Sequence, residues 1–189
     1  RQLAQWLYAK EVSSIDEMTN LSKKTRSILK EHFVTGIKGP VGVQESVDGT
    51  RKYLFSALEG KFIETAYIPD GKRHTVCVSS QVGCKMGCLF CMTGKQGFQG
   101  NLSPAEILNQ FRSLPERRKL SNIVYMGMGE PLDNTDAVLA SLAILTSKWG
   151  DRLSPRRITV STVGITEVHP LTVPGRLFTS LLIFFGVGV

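Results

Sequence analysis

Three cysteines fall within eight residues: Cys84, Cys88 and Cys91, spaced C-x3-C-x2-C, with Phe90 just before the last. Thiols this close crowd their sulfurs into one place, and the usual occupant of such a place is a metal ion or a cluster. The number three carries the information. Four irons held by three thiolates leave one iron open, as three protein ligands leave an open position on a catalytic zinc. An open iron can take a substrate or a cofactor, whereas a closed structural site has four protein ligands. A structural zinc site, with Cys77 as the fourth ligand, is the alternative. Gly83 and Gly87 suit close backbone approach to a bulky cluster, and Phe90 can pack on it and keep water away.

Two other stretches have the composition of ligand-binding loops. In Gly127-Met128-Gly129-Glu130-Pro131 the glycines would let the backbone approach a ligand, and Glu130 can accept hydrogen bonds from an ammonium group. In Ser161-Thr162-Val163-Gly164 the Ser161 hydroxyl can bond a carboxylate or a ribose. Taken singly, an ordinary glycine turn and a strand-end serine look the same. Their place in the order of elements gives them weight.

His74–Ser79 is a predicted strand, and the cysteine loop follows it. Ser103-Pro104-Ala105-Glu106 is a capping box with proline at the first helical position. Ile107, Leu108, Phe111 and Leu114 then repeat at helical spacing until Pro115. Asn122–Met126 is a short apolar strand. Asn134–Lys148 is a predicted helix with Val138, Leu142 and Leu145 on one face and Gly150 as its stop, and Arg157–Ser161 is the third strand. Strand–helix–strand–helix–strand implies parallel strands joined by crossovers, and all three loops then lie at carboxyl ends of strands, where such sheets and barrels place their sites.

Upstream, Leu3, Trp6 and Leu7 share a helical face, and a second helix is expected over Ser22–Phe33. Its apolar stripe is Ile28, Leu29, His32 and Phe33, opposite Lys23, Lys24, Arg26 and Lys30. Gly36, Gly39 and Pro40 mark a boundary. Three strands follow, over Val41–Val47, Arg51–Leu58 and Lys61–Ile68, with Asp48-Gly49 as a hairpin turn and Pro69-Asp70-Gly71 as the end of the third. The predicted fold class is α/β, a partial (βα) barrel preceded by a small helical domain and a β-meander. The divisions are 1–38 (a helical, RNA-binding module, unless its basic face is simply a solvated helix surface), 39–72 (meander linker), 73–165 (first half of a barrel) and 166–189 (an aberrant or divergent tail).

A chain of 189 residues, 42% hydrophobic and 21% charged, is long enough for a real core. A formal net charge of +7 points to a polyanionic partner, nucleic acid being the commonest. Four cysteines, three of them clustered, do not make a secreted disulfide scaffold and fit a reducing cytoplasm better. The apolar run Leu177–Val189 is too short to span a bilayer, which takes roughly 20 residues. No membrane association is expected.

Together these residues resemble the radical S-adenosylmethionine enzymes, and within them the RlmN/Cfr family of RNA adenine methyltransferases. The resemblance runs from about Arg1 to Ile165. It is carried by the cysteine loop, by Glu64-Thr65-Ala66-Tyr67-Ile68-Pro69 and by Cys77-Val78-Ser79-Ser80-Gln81-Val82-Gly83-Cys84. Gln96-Gly97-Phe98, Gly127-Met128-Gly129-Glu130-Pro131-Leu132 and Arg156-Arg157-Ile158-Thr159-Val160-Ser161-Thr162 complete it. The pattern is closer to the branch that methylates carbon 2 of adenine than to the one that methylates carbon 8. The resemblance implies a radical methyltransferase acting in the cytoplasm on 23S rRNA and tRNA. Cys84, Cys88 and Cys91 would hold a 4Fe-4S cluster, and Gly129, Glu130 and Ser161 would bind S-adenosyl-L-methionine. Glu64 would accept the proton, and Cys77 would release the adduct by forming a disulfide. An electron donor such as flavodoxin is implied, and no stable protein partner is evident. The family pattern also has a methyl-carrying cysteine near its C-terminus and about as much barrel again. Here no cysteine follows Cys91, and Pro170, Pro174 and the apolar run from Leu177 to Phe185 depart from the pattern, so complete turnover is not expected of these residues alone.

Overall fold

A computed structural model describes residues 2–10, 12–58 and 60–163. Expectations that fall on Gly164, Ile165 and 166–189 lie outside the described residues.

The chain begins with α1 (Gln2–Ala4), which widens at once into a π-helical turn over Gln5–Ala9. The Lys10 N–H reaches back to the Gln5 carbonyl. Trp6 is thereby buried with Val12, Ile15 and Met18 in a small core, while Leu3, expected on the same face, stays exposed. A 3-10 turn, Ile15–Glu17, is closed by a capping box between Ser14 and Glu17. The next helix, α2 (Lys23–His32), starts where its N-cap is expected, with the Ser22 hydroxyl accepting the Thr25 N–H. Its expected stripe is a correction. Only Leu29 packs on the small core, and Ile28, His32 and Phe33 face solvent. A core this small takes one side chain from α2.

The meander comprises β1 (Gly42–Glu45), β2 (Arg51–Ala57) and β3 (Lys61–Asp70), all antiparallel. The Asp48 carboxylate accepts both the backbone N–H and the hydroxyl of Thr50, and Gly49 takes φ +81°, which closes the first turn. The third strand does not stop at Pro69, as its sequence suggested. It runs on to Asp70, paired with β4 (Arg73–Cys77) through Pro69 opposite His74. Proline is tolerated there because β2 ends opposite Tyr67, so β3 has a partner on one side only.

From β4 the chain makes the short β5 (Gln81–Val82), the cysteine loop, α3 (Met92–Lys95) and β6 (Gly100–Asn101), which pairs back on β5. Then come α4 (Pro104–Arg112), β7 (Asn122–Tyr125), α5 (Thr135–Thr146) and β8 (Ile158–Val160). The capping box at Ser103 and Glu106 forms as expected. Both β4–β7 and β7–β8 are parallel pairs, so the large sheet has the order β1-β2-β3-β4-β7-β8. Hydrogen bonding crosses the expected 72/73 division without a break.

The two helices α4 and α5 pack on each other and on one face of the sheet. That face buries Phe55, Ile63, Tyr67, Val76, Ile123 and Tyr125 against Ile107, Phe111, Val138 and Leu145. Each fully buried side chain of this size contributes about 1.5–3 kcal/mol. Strand alternation sends Lys52, Glu64, Ala66, Cys77, Val124 and Thr159 to the other face. A buried amide anchors the exit of β4. Gln110 of α4 accepts from the Thr65 hydroxyl and the Ser79 N–H and donates to the Ser79 carbonyl.

Candidate functional site

The site is the rim where β4, β7 and β8 end. The β7 exit runs alongside the chain leaving β4, with Val78 N–H bonded to Val124 O, Gly127 N–H to Val78 O, and Ser80 N–H to Met128 O. A Cβ added to Gly127 would sit 2.7 Å from Ser79 Oγ, and one on Gly129 would sit 2.5 Å from Gln81 Cβ. The two glycines therefore let two backbones touch each other. Gly129 also takes φ +95°, a conformation that L side chains rarely adopt.

Gln81 is the hub of the rim, fully buried. Its amide oxygen accepts the Glu130 N–H at 2.9 Å, and its amide nitrogen donates to Asp133 at 2.7 Å and to Asn101 at 2.8 Å. Asn134 adds two bonds, to the carbonyls of Ser80 and Leu102. Glu130 is buried, and its two oxygens accept the backbone N–H groups of Leu132 and Val163, each at 3.0 Å. The carboxylate thus ties the β7 loop to the chain just past Ser161, and spare lone pairs remain on both oxygens for a cationic donor.

All four cysteines are free, half-buried thiols. Burial pushes the Cys84 thiol up, and negative charge on Glu130, Cys88 and Cys91 pushes in the same direction against the Met86 N–H. The Cys91 sulfur is held below its ordinary range by the amides at the start of α3, Gly94 first. Cys84, Cys88, Cys91 and Glu130 therefore lie within electrostatic reach of one another. Among the described residues no three His, Cys, Asp or Glu side chains are already gathered as a metal site. By donor chemistry the loop fits an iron–sulfur cluster: three thiols, one of them disfavoured as an anion first by burial and then by nearby negative charge, which a bound cation would offset. The loop's Leu89 and Phe90 are exposed, Phe90 at 88%, so the ring expected to shield a cluster stands in solvent here.

Cys77 lies apart from that trio, on β4, and no cysteine contributes to its environment. Burial raises its thiol, and a hydrogen bond from the Met126 backbone partly offsets this. Glu64 shares the face of Cys77, since Ala66 on the same strand pairs with Cys77. Its carboxylate is 2.9 Å from the Lys52 ammonium, both half-exposed, and its N–H meets Met128 Sδ at 3.4 Å. The Ser79 hydroxyl donates to the Glu64 carbonyl and accepts from Met128 N–H, linking the β3 residue to the rim.

Of the residues singled out from sequence, Cys84, Cys88, Cys91, Gly129, Glu130 and Ser161 gather at the rim, while Glu64 and Cys77 lie on the sheet face leading to it. Gln81, Gln110, Asp133 and Asn134 were missed as organisers. Their partners are far away in the chain, so no local spacing signals them.

The family model described as Radical SAM superfamily matches residues 78–171, past the Ile165 limit seen in the sequence pattern. The model described as Ribosomal RNA large subunit methyltransferase N-terminal domain matches residues 1–35. The chain is 59% identical over 167 residues to a probable dual-specificity RNA methyltransferase RlmN of Bacteroides thetaiotaomicron, covering 88% of this chain and 48% of that protein. A homologue of the same description from Phocaeicola vulgatus is 61% identical with the same shares. The dual-specificity RNA methyltransferase RlmN of Halorhodospira halophila is 47% identical, with 88% and 47% covered. The crystal structure of a radical SAM methyltransferase from Sphaerobacter thermophilus superposes with a TM-score of 0.79 at 40% identity, covering 87% of this chain and 50% of that one. The chain spans about half the length of the curated relatives it matches.

Proposed function

The chain belongs to the radical SAM superfamily, in its RlmN branch, and from that premise we propose that it carries the cofactor-binding part of an RNA adenine-C2 methyltransferase. Its substrates are 23S rRNA and tRNA, the reaction takes place in the cytoplasm, and a flavodoxin-like protein supplies electrons. The single observation that carries this proposal is the convergence on one rim of the cysteine loop, the Gly127–Pro131 loop and the end of β8. No helix among the described residues is long and apolar enough to cross a membrane.

Cys84, Cys88 and Cys91 would hold the 4Fe-4S cluster, and Gly129, Glu130 and Ser161 would hold S-adenosyl-L-methionine. When bound, the pair supplies the one-electron chemistry needed to reach an electron-poor ring carbon that no sulfonium methyl alkylates directly. The chain's own residues bind and position. Glu130, its oxygens aimed by two backbone N–H groups, would accept from the cofactor's amino group, and the Ser161 hydroxyl would bond its carboxylate. Glu64 takes the ring proton on the sheet face, beside the Lys52 ammonium. Cys77 keeps its proton until product release, because burial disfavours its thiolate. The basic module at residues 1–38 contacts the RNA backbone.

Anaerobic reconstitution with iron and sulfide tests this proposal. The expected product is brown, with broad absorbance near ~400 nm, and after one-electron reduction with dithionite its spin-resonance signal changes when S-adenosyl-L-methionine is added. Cys84→Ala, Cys88→Ala and Cys91→Ala should each lose the colour, whereas Cys77→Ala should keep it. A colourless protein with one tightly bound zinc, lost in Cys77→Ala, would overturn the proposal in favour of a non-catalytic RNA-binding module.

A further inference from the structure

Lys85, next to the first cysteine of the loop, is the only residue of the C-x3-C-x2-C stretch whose side chain forms an ion pair among the described residues. Its ammonium lies 2.9 Å from Asp133 Oδ2 and 3.2 Å from Oδ1. It also sits 4.3 Å from the centre of the Phe98 ring, on the loop between α3 and β6. A cation held over an aromatic face gains attraction beyond its ion pair. Asp133 is not a free carboxylate on a flexible loop. The same Oδ2 accepts from buried Gln81, whose other amide end receives the Glu130 N–H. An unbroken chain of contacts thus runs from Lys85 through Asp133 and Gln81 to Glu130. It joins the two segments that must register for a cofactor to bridge them.

We propose that Lys85 is a positioning residue whose ion pair with Asp133, backed by the Phe98 ring, latches the cysteine loop onto the Gly127–Pro131 loop and sets where Cys84 stands relative to Glu130. The consequence for cofactor binding rests on the function proposed above; the latch itself does not. Its occupant is internal, so the latch acts before any ligand arrives and lowers the ordering cost of binding.

Two measurements separate the latch from the function. In the cluster-free chain, amide hydrogen exchange over residues 84–91 should quicken about fivefold in Lys85→Met and in Asp133→Asn, the scale of a partly exposed ion pair. Asp133→Asn keeps an oxygen for Gln81, so exchange in the core strands should not change. Lys85→Arg, which retains charge and ring contact, should restore wild-type exchange. In the reconstituted protein, Lys85→Met should assemble the cluster normally but bind S-adenosyl-L-methionine about fivefold more weakly, as read by titrating the spin-resonance change. Unchanged exchange in Lys85→Met, or failure of Lys85→Arg to restore it, overturns the latch. Exchange that quickens while cofactor affinity stays the same overturns the positioning role. If the wild-type chain forms no cluster, the proposed function falls, and the exchange measurement still decides the latch.

Discussion

At the scale of single residues, the rim tolerates little because its parts touch directly. Gly129 shows this most sharply. Gly129→Ala forces a left-handed backbone on an L residue, costing about 1–2 kcal/mol, and drives a methyl into Gln81, adding about 1–3 kcal/mol. The urea midpoint should fall accordingly with the slope unchanged. Short spacing in the sequence sets the cysteine trio on one loop, but among the described residues the loop does not bring three sulfurs together as a ready metal site. The role of the glycines was legible only in part. They looked like space for a ligand, and the structure shows them making space for Ser79 and Gln81. Gln81 itself was opaque: the residues it bonds, Glu130 and Asp133, are brought near only by the β4–β7 pairing.

At the scale of elements, local chemistry gave the boundaries wherever a cap or turn set them. The start of α4 is one such place, where Ser103 and Glu106 exchange three hydrogen bonds. Ser103→Ala should cost about 1 kcal/mol, measurable as a midpoint shift. It should also loosen the Glu106 carboxylate, which would keep only the residue-103 backbone N–H and the Leu58 N–H of the β2–β3 hairpin. The Asp48-Gly49 turn was legible for the same reason. The third strand was misjudged at Pro69 because proline's meaning depends on whether a neighbouring strand needs its N–H, and that is tertiary information. The stripe on α2 was misjudged for a related reason. Periodicity marks which face is apolar, but how much of that face finds a partner depends on the size of the core beneath it.

At the scale of the whole molecule, two cores are fastened together. Arg112 at the end of α4 donates to the Leu7 carbonyl and faces the Tyr8 ring, and the Lys38 backbone is held by the Asn109 side chain. Two carboxylates that tie elements of the larger core together make it sensitive to acid. Burial raises Glu106, yet hydrogen bonds from Ser103 and Leu58 outweigh it and hold its carboxyl below the usual range. Glu116 behaves likewise, with burial overcome by Tyr53 and Arg51. Both are lower when folded, so their contribution is complete above the ordinary carboxyl value of 4.5 and is lost as pH falls through the folded values. Stability should therefore be flat from pH 7 to about 5 and decline below. Denaturant midpoints taken across that window, with Glu106→Gln flattening part of the decline, check the sign.

The ladder from Gly42 to Val160 has no gap. Glu64 and Cys77 are planted on adjoining strands of it, so the span between them is set by pleat and register and stays the same whatever the loops above are doing. If the chain acts on a nucleotide as proposed, any adjustment to it must come from the incoming base or the loops, with the sheet serving as the fixed stage beneath them.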